Sequence, residues 1–401
     1  MSDSTAVGKT TSTESFEVLL VHPHLSLARS GVADVVTISA SKLAERGRKV
    51  AVFAARPARV SVPKSVSVFE FGPDYGVRSI GRLFQASRRN RSAPVSIHWT
   101  AADTGSGFFS SCLVLAVFLL RAMGRQVHLS AHELWVPWRG LLHWPFALFS
   151  RGISAALVLL CSRTHVPVQS WLRSLKRLYF FKSSSLHWIP MGATVLPRQR
   201  TASSSERHQY PLVLLFNPLS TSKNPQLVEA AWARLAQKAP QTRCAVIGKL
   251  PPRSDTRLKY LSQHPECQML GVLRSAEISE WMSKAVALLA PFDEGVSAGR
   301  TSVITALAHG LPVVTTAGPA TEEIWKHTEG VILVHRHPGD LADALMRLHL
   351  DEAYWEKASK EARAFYLAHF EWDKIVDQAY PEFVQAKGIK PHFQAASLKS
   401  R

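Results

Sequence analysis

The feature that most narrows the fold is a rhythm. Short β-branched, apolar runs alternate with longer helical ones, and the alternation occurs twice along the chain with a polar break between the passes. Repeated strand, helical crossover and strand make a parallel sheet covered by helices. In the first pass strands are expected at Phe16–Val21, Val50–Ala54, Val66–Phe71, Val95–Trp99, Val127–Ala131, Ala156–Leu160 and Leu186–Pro190, with a helix from Val32 to Arg46 that Gly47 ends. Pro197–Tyr210 is polar and aperiodic, carrying Arg198, Gln199, Arg200 and a run of serines, and reads as a linker. The second pass predicts strands at Leu212–Phe216, Arg243–Ile247, Gln268–Leu270, Val286–Ala290, Val313–Thr316 and Val331–Val334. Helices are expected at Pro225–Gln237 and Ala276–Ala285, up to His309, near Thr321, and along the C-terminal stretch. Two Rossmann-like α/β domains in tandem account for this pattern, and 401 residues suit two such cores. The expected division is a flexible tail at 1–15, a front domain at 16–196, a linker at 197–210, a back domain at 211–370 and a C-terminal segment at 371–401.

Apolar residues at 46% and charged residues at 19% exclude a disordered chain. The formal charge of +18 is unevenly placed, because residues 1–200 hold 25 Lys and Arg against 9 Asp and Glu. Between Leu134 and Arg200 there is no acid, while Arg139, Arg151, Arg163, Arg173, Lys176, Arg177 and Lys182 fall there. A cationic front domain points to an anionic partner: a phosphorylated substrate, an acidic membrane surface or nucleic acid. No RNA-binding aromatic motif, finger spacing or recognition helix accompanies the charge, so no nucleic-acid partner is expected. Cys112, Cys161, Cys244 and Cys267 are far apart in apolar runs and read as buried thiols of a reducing compartment, without zinc-type spacing. Met1–Ser15 has no apolar core and does not read as a signal peptide. Phe108–Met123 is too short to span a bilayer, and Leu141–Cys161 is broken by His143, Pro145 and Arg151; both read as buried or interfacial. The expected location is cytoplasmic, peripheral on the inner face of the membrane.

In parallel sheets of this kind ligands bind beyond the carboxyl ends of the strands, and a tandem pair faces its two binding edges across one cleft. Candidate chemistry therefore sits in strand-end loops. After the first strand, Ser30-Gly31-Val32-Ala33-Asp34 opens a helix, and Gly31 lets the backbone approach an anion at the free N–H groups; a packing turn is the alternative. His132 and Glu133 follow the Val127–Ala131 run directly. Trp135, Trp138 and Trp144 are interleaved with Arg139 and His143, a mixture suited to an acceptor groove or a membrane interface, or to an ordinary apolar loop. Arg88, Arg89 and Arg91 form a second basic cluster that reads as a solvated turn. In the back half a loop with Glu294 and Gly295 leads to Arg300-Thr301-Ser302 at a helix start, which brings a cation, hydroxyls and free N–H groups to one place.

Several of these strings resemble glycosyltransferase family 4 of the group 1 type. They are Gly-Val-Ala-Asp from Gly31, Ile-Pro-Met-Gly at Ile189–Gly192, Ala290-Pro-Phe-Asp-Glu-Gly-Val-Ser, and the run Ala306-Leu-Ala-His-Gly-Leu-Pro-Val-Val ending at Val314. The resemblance implies a GT-B fold, two Rossmann-like domains facing across a cleft, with the segment from Phe370-Glu371-Trp372 crossing back onto the first domain. It also implies a nucleotide-sugar pocket in the back domain, with Glu294 and His132 as the catalytic pair beside the sugar. Gly31, Lys223, Gly295, Arg300, Thr301, Ser302 and Thr305 are then the donor contacts, and Trp135, Trp138 and Arg139 lie on the acceptor or membrane side.

Two positions depart from that pattern. Thr305 stands where the family has the second of two glutamates, with Ser297 eight residues before it, so Glu294 matches the first only through a longer loop. Pro218 stands where an arginine of the phosphate clamp is usual; Lys223 fits the clamp lysine, and Arg300 is the candidate replacement. Gly318 and Glu322 match a Gly-x-x-x-Glu turn that lines the pocket or caps a helix.

The expected activity is transfer of a sugar from a nucleoside-diphosphate donor to a glycan or lipid-linked acceptor, with retention of configuration as the resemblance implies. No metal is required in this scheme, and no cofactor is expected beyond the donor itself. A non-catalytic sugar-nucleotide binder of the same fold and a sugar-nucleotide epimerase remain the alternatives, whereas the lack of Gly-x-Gly-x-x-Gly after either opening strand argues against a dinucleotide oxidoreductase.

Overall fold

The structure is a computed structural model that describes residues 15–22, 31–54, 62–71, 76–101, 107–134, 144–198, 204–209, 211–219, 223–252 and 256–384. Trp135, Trp138 and Arg139 lie outside the described residues, as do 199–203 and 210 of the expected linker; within it, Ser204–Gln209 is helical.

The front lobe holds seven parallel strands: β1 (Val18–Val21), β2 (Val50–Ala54), β3 (Val66–Glu70), β4 (Val95–Thr100), β5 (Val127–Glu133), β6 (Arg163–Val166) and β7 (Leu186–Trp188), in the order β3-β2-β1-β4-β5-β6-β7. The back lobe holds six: β8 (Leu212–Phe216), β9 (Arg243–Ile247), β10 (Cys267–Gly271), β11 (Ala287–Leu289), β12 (Val313–Thr316) and β13 (Val331–Val334), in the order β10-β9-β8-β11-β12-β13. Both orders run outward from the first strand in both directions, which creates a switch point beside β1 and another beside β8. The central strands are wholly buried and almost wholly apolar, because helices cover both faces.

One expected strand is corrected. Ala156–Leu160 is the end of a helix, Trp144–Leu160, whose buried residues Ala147, Ser150, Ile153, Ser154, Leu157 and Val158 recur at helical spacing. The sixth strand is instead Arg163–Val166, hidden from hydropathy because its buried positions include Thr164 and His165. The helix expected near Thr321 is a 3-10 turn at Glu323–Lys326.

Three apolar clusters organise the molecule. Two lie on the outer faces of the lobes. The third runs from the inner face of the front sheet through Ile189 and Met191 into the back lobe, and includes Phe292, Val296 and Trp372. Crossing back onto the front lobe is the work of Trp372–Ala379. The Trp372 indole lies against Gly192, where an added Cβ would fall 2.3 Å from the ring, and donates to the Ala193 carbonyl at 2.8 Å. Arg46, just past the Gly31–Glu45 helix, pairs with Asp373 at 3.1 Å and with Asp377, and the Tyr380 hydroxyl donates to the Ser96 hydroxyl of β4 at 3.0 Å.

Candidate active site

The carboxyl ends of the two sheets meet along the loop Pro291–Arg300. Met191 donates its amide to the Ala298 carbonyl at 2.9 Å, and Gly299 lies against Val168 and Pro167 of the front lobe. Glu322, fully buried, accepts from the Ala298 amide at 2.9 Å, from the Trp325 indole at 2.7 Å and from the front-lobe Gln169 amide at 3.2 Å. Burial raises the affinity of Glu322 for a proton, and these donated hydrogen bonds oppose that shift. One carboxylate thus ties the loop to both lobes. Gly318 was grouped with it in sequence; its role is packing, since a Cβ there would fall 2.5 Å from the Glu294 carbonyl carbon.

Two helix starts converge at this loop. The back-lobe helix Thr301–Ala308 has no side chain capping its N-terminus, and the amides of Thr301 and Ser302 have no partner among the described residues. Opposite it stands the start of the Gly31–Glu45 helix, where a Cβ built on Gly31 would lie 3.4 Å from the Thr301 hydroxyl. The Thr301–Ala308 start offers N–H groups, and both starts bring the positive end of a helix dipole.

Beside them, a buried lysine and a half-buried arginine share one aromatic ring. The Lys223 ammonium lies 5.4 Å from the centre of the Phe292 ring and the Arg300 guanidinium 4.7 Å from it. Lys223 is placed by an isolated bridge to Phe292 and donates to the Phe216 carbonyl at the end of β8. Among the described residues neither cation forms an ion pair within 4 Å, and the Arg300 Nε is buried without a hydrogen-bond partner. Burial and the neighbouring Arg300 push Lys223 down to about 7; burial also lowers Arg300, while Glu294, Glu133 and Glu322 help to keep it charged. Ring attraction offsets only part of the cost of burying such charges. An anion seated between them would supply the rest.

The remaining predicted residues divide. Glu294 is exposed at the edge of the loop, close enough to Arg300 to influence its charge. Ser302 is buried at the helix start with Thr301 half-buried beside it. Gly295 does not meet a ligand through its amide, which donates to Phe292; its φ of 86° and close approach to Thr321 and Gly318 make it a packing residue, a correction to its expected donor contact. Thr305 is also corrected. It is fully buried one turn into the helix, and its hydroxyl accepts from the Thr194 amide at 3.0 Å, so it fastens the hinge instead of reaching into the cleft.

His132 lies in a histidine array that sequence reading did not assemble. Register aligns His98, Ser130, His165 and His187 across β4, β5, β6 and β7, with Ser96 and His128 paired two residues earlier. His98 and His132 stack with centroids 5.2 Å apart and share a 3.0 Å Nδ1···Nε2 hydrogen bond. Burial lowers His98 well below its ordinary range and pushes His132 down to about 3, so both rings are neutral. They line a cavity of about 40 Å³ closed by Trp372, Ile375, Ala379 and Tyr380. The signal that could have revealed this array is polar alternation within the strands. Among the described residues, no group of three or more His, Cys, Asp and Glu could hold a metal ion, and all four cysteines are free thiols.

The topology, the opposed lobes and the C-terminal crossover can now be set beside known proteins. The structure matches Anabaena HepE, solved in complex with UDP and glucose, at a TM-score of 0.64 and 17% identity over 92% of this chain and 99% of that one. It matches sucrose-phosphate synthase from Thermosynechococcus elongatus at 0.70 and 16% identity over 92% and 99%. The fold is GT-B. A UDP-N-acetylglucosamine 2-epimerase shares it at 0.58 and 12% identity over 95% and 100%, so the GT-B architecture alone does not choose between transfer and epimerisation. In sequence, residues 211–351 match the family model described as glycosyl transferases group 1, which covers the GT-B back lobe including Lys223, Phe292 and Arg300. No curated protein matches the chain in sequence.

Proposed function

We propose that the protein transfers a glycosyl group from a nucleoside-diphosphate sugar to a glycan or lipid-linked acceptor, as a retaining, metal-independent enzyme. The observation that carries this reading is the pair Lys223, buried, and Arg300, half-buried, both on the Phe292 ring without an acidic partner in ion-pair range among the described residues, next to the uncapped start of the Thr301–Ala308 helix. A diphosphate is the anion that fits two cations and a row of N–H donors. As the bond between the sugar C1 and the phosphate oxygen breaks, the negative charge gathering on the leaving diphosphate is met by groups already in place, which is the stabilisation such a step needs. The acceptor oxygen bonds to C1, and its proton leaves with the departing phosphate. Neutral His132 is suited to hydrogen-bond a sugar hydroxyl, and exposed Glu294 to accept from another. Thr305, occupied at the hinge, leaves the ribose to other groups of the back lobe.

The matched family model and the UDP complex of a structural neighbour support a nucleotide-sugar donor. The basic front lobe favours an anionic, lipid-linked acceptor at a membrane surface on the cytoplasmic side. A thermal-shift series with uridine, guanosine and adenosine diphosphates tests the reading, because a ligand at 100 times its Kd stabilises the folded state by ~2.7 kcal/mol. At least one should raise Tm, and Lys223→Met with Arg300→Ala should abolish the rise; no shift with any of them would remove the donor site. Turnover of the sugar nucleotide without an acceptor would favour the epimerase instead.

A further inference from the structure

The outer side of the front lobe carries a helix pair whose solvent face is mostly apolar among the described side chains. Gly107–Ala122 and Trp144–Leu160 pack on each other over the sheet. Their inward residues, among them Leu113, Val117, Leu120, Leu157 and Val158, are buried as expected. The opposite face is where a water-facing helix carries its charges. Here it exposes Leu115, Phe118 and Leu119 on the first helix and Trp144, Phe146, Leu148 and Phe149 on the second.

At the far end of the second helix the same surface continues. The Lys182 ammonium donates to the carbonyls of Val158 and Leu159 at 3.0 and 2.6 Å, which holds the Phe180–Ser185 turn there with Phe180 76% and Phe181 64% exposed. The adjoining helix Gln169–Leu178 presents Arg173, Lys176 and Arg177 to solvent, and none of the three forms an ion pair within 4 Å among the described residues. Between Asp103 and Glu206 the chain contains a single acid, Glu133, and that residue faces Arg300 in the cleft.

We infer that this face docks on an anionic lipid bilayer, lying in the interface without crossing it. Two features select the occupant. An apolar patch marks a binding surface, and the adjoining Gln169–Leu178 helix exposes Arg173, Lys176 and Arg177 with no acid of its own, which complements phosphate headgroups. Neither helix is long and apolar enough to span. Ser154, midway along the second helix, donates to the Leu134 carbonyl just past the carboxyl end of β5, the strand that bears His132, so a docked lobe would hold its cleft close to the headgroups. The inference deepens the lipid-linked acceptor reading above and rests on it only for its purpose; the docking itself can be measured without sugar transfer.

Flotation with vesicles of phosphatidylcholine alone, and of phosphatidylcholine mixed with phosphatidylglycerol, tests it on the full chain. Wild type should float with the mixed vesicles, and less so in high salt. Neutralising Arg173, Lys176 and Arg177 to Gln should weaken binding about 100-fold, from about fivefold per cation. Leu115→Gln with Phe118→Gln should release the protein from both vesicle types, while Leu350→Gln, an exposed apolar residue of the back lobe, should change nothing. Circular dichroism and nucleoside-diphosphate thermal shift on each variant establish that both lobes are folded. Absence of vesicle binding, or binding that neither variant reduces, overturns the inference. So does a dimer in sedimentation velocity that Leu115→Gln with Phe118→Gln dissociates, since the face would then belong to a second copy. Loss of nucleotide binding with vesicle binding intact would count against the donor site alone.

Discussion

Lys223 is the residue whose chemistry is most exposed to test. Its proton affinity in the folded protein is lowered from 10.5 to about 7 because the ammonium is buried beside Arg300. Above pH 7 the unliganded protein therefore holds Lys223 increasingly neutral, and binding an anion there must draw a proton back onto it. Binding linked to proton uptake weakens as pH rises. Nucleoside-diphosphate affinity, measured by calorimetry, should fall between pH 7 and 9 by up to about tenfold per unit, and Lys223→Met should bind weakly with no such slope. A wild-type affinity that is flat across this range would show that the lysine does not meet the phosphate. Lys223, Arg300 and Thr301 could be named from the sequence because each lies in a short string that resembles the family. Thr305 and Gly295 were misplaced because their partners, Thr194 and the Gly318–Thr321 turn, are distant in the chain.

Among the elements, the Trp372–Ala379 helix decides whether the lobes remain opposed. Its indole is buried on Gly192, and its acids pair with Lys42 on the Gly31–Glu45 helix and with Arg46 just past it; the start of that helix lines the cleft. Ion pairs of this partly exposed kind add little; the buried ring carries the contact. Trp372→Ala should cost about 3–5 kcal/mol in urea denaturation, and Gly192→Ala about 1–3 kcal/mol through overpacking. Both should also weaken nucleotide binding, although neither residue touches the proposed phosphate position, because the Thr301–Ala308 helix would lose its fixed relation to the front lobe. If Gly192→Ala leaves stability and binding unchanged, the crossover is not the clamp described here. That a crossover exists was legible from the Phe370–Trp372 string; what it covers was not. Strand β6 was missed for a related reason, since hydropathy does not mark a strand whose buried face carries Thr164 and His165.

At the scale of the whole molecule, the buried histidine array makes the interlobe core sensitive to acid. Burial pushes His128 down to about 4 and His132 to about 3, and holds His98 and His165 well below the ordinary 6.5. The unfolded chain takes up protons at these sites below pH 6.5 while the folded chain does not, so stability falls as pH drops from about 6.5 towards 4. His128 alone accounts for a loss on the order of 3 kcal/mol by pH 4. Denaturation at stepped pH should show this decline, and His128→Leu should make it shallower; an unchanged slope in that variant would place the acid sensitivity elsewhere. By itself the sequence determined two parallel sheets and the cationic character of the front half, because hydrophobic period and residue charge are written locally along the chain. Only the tertiary structure decided which charges lack a counter-ion, which histidines are dry and which apolar residues are left facing outward. Desolvation and pairing depend on residues brought together from far apart, as Lys223 and Arg300 are by the ring of Phe292.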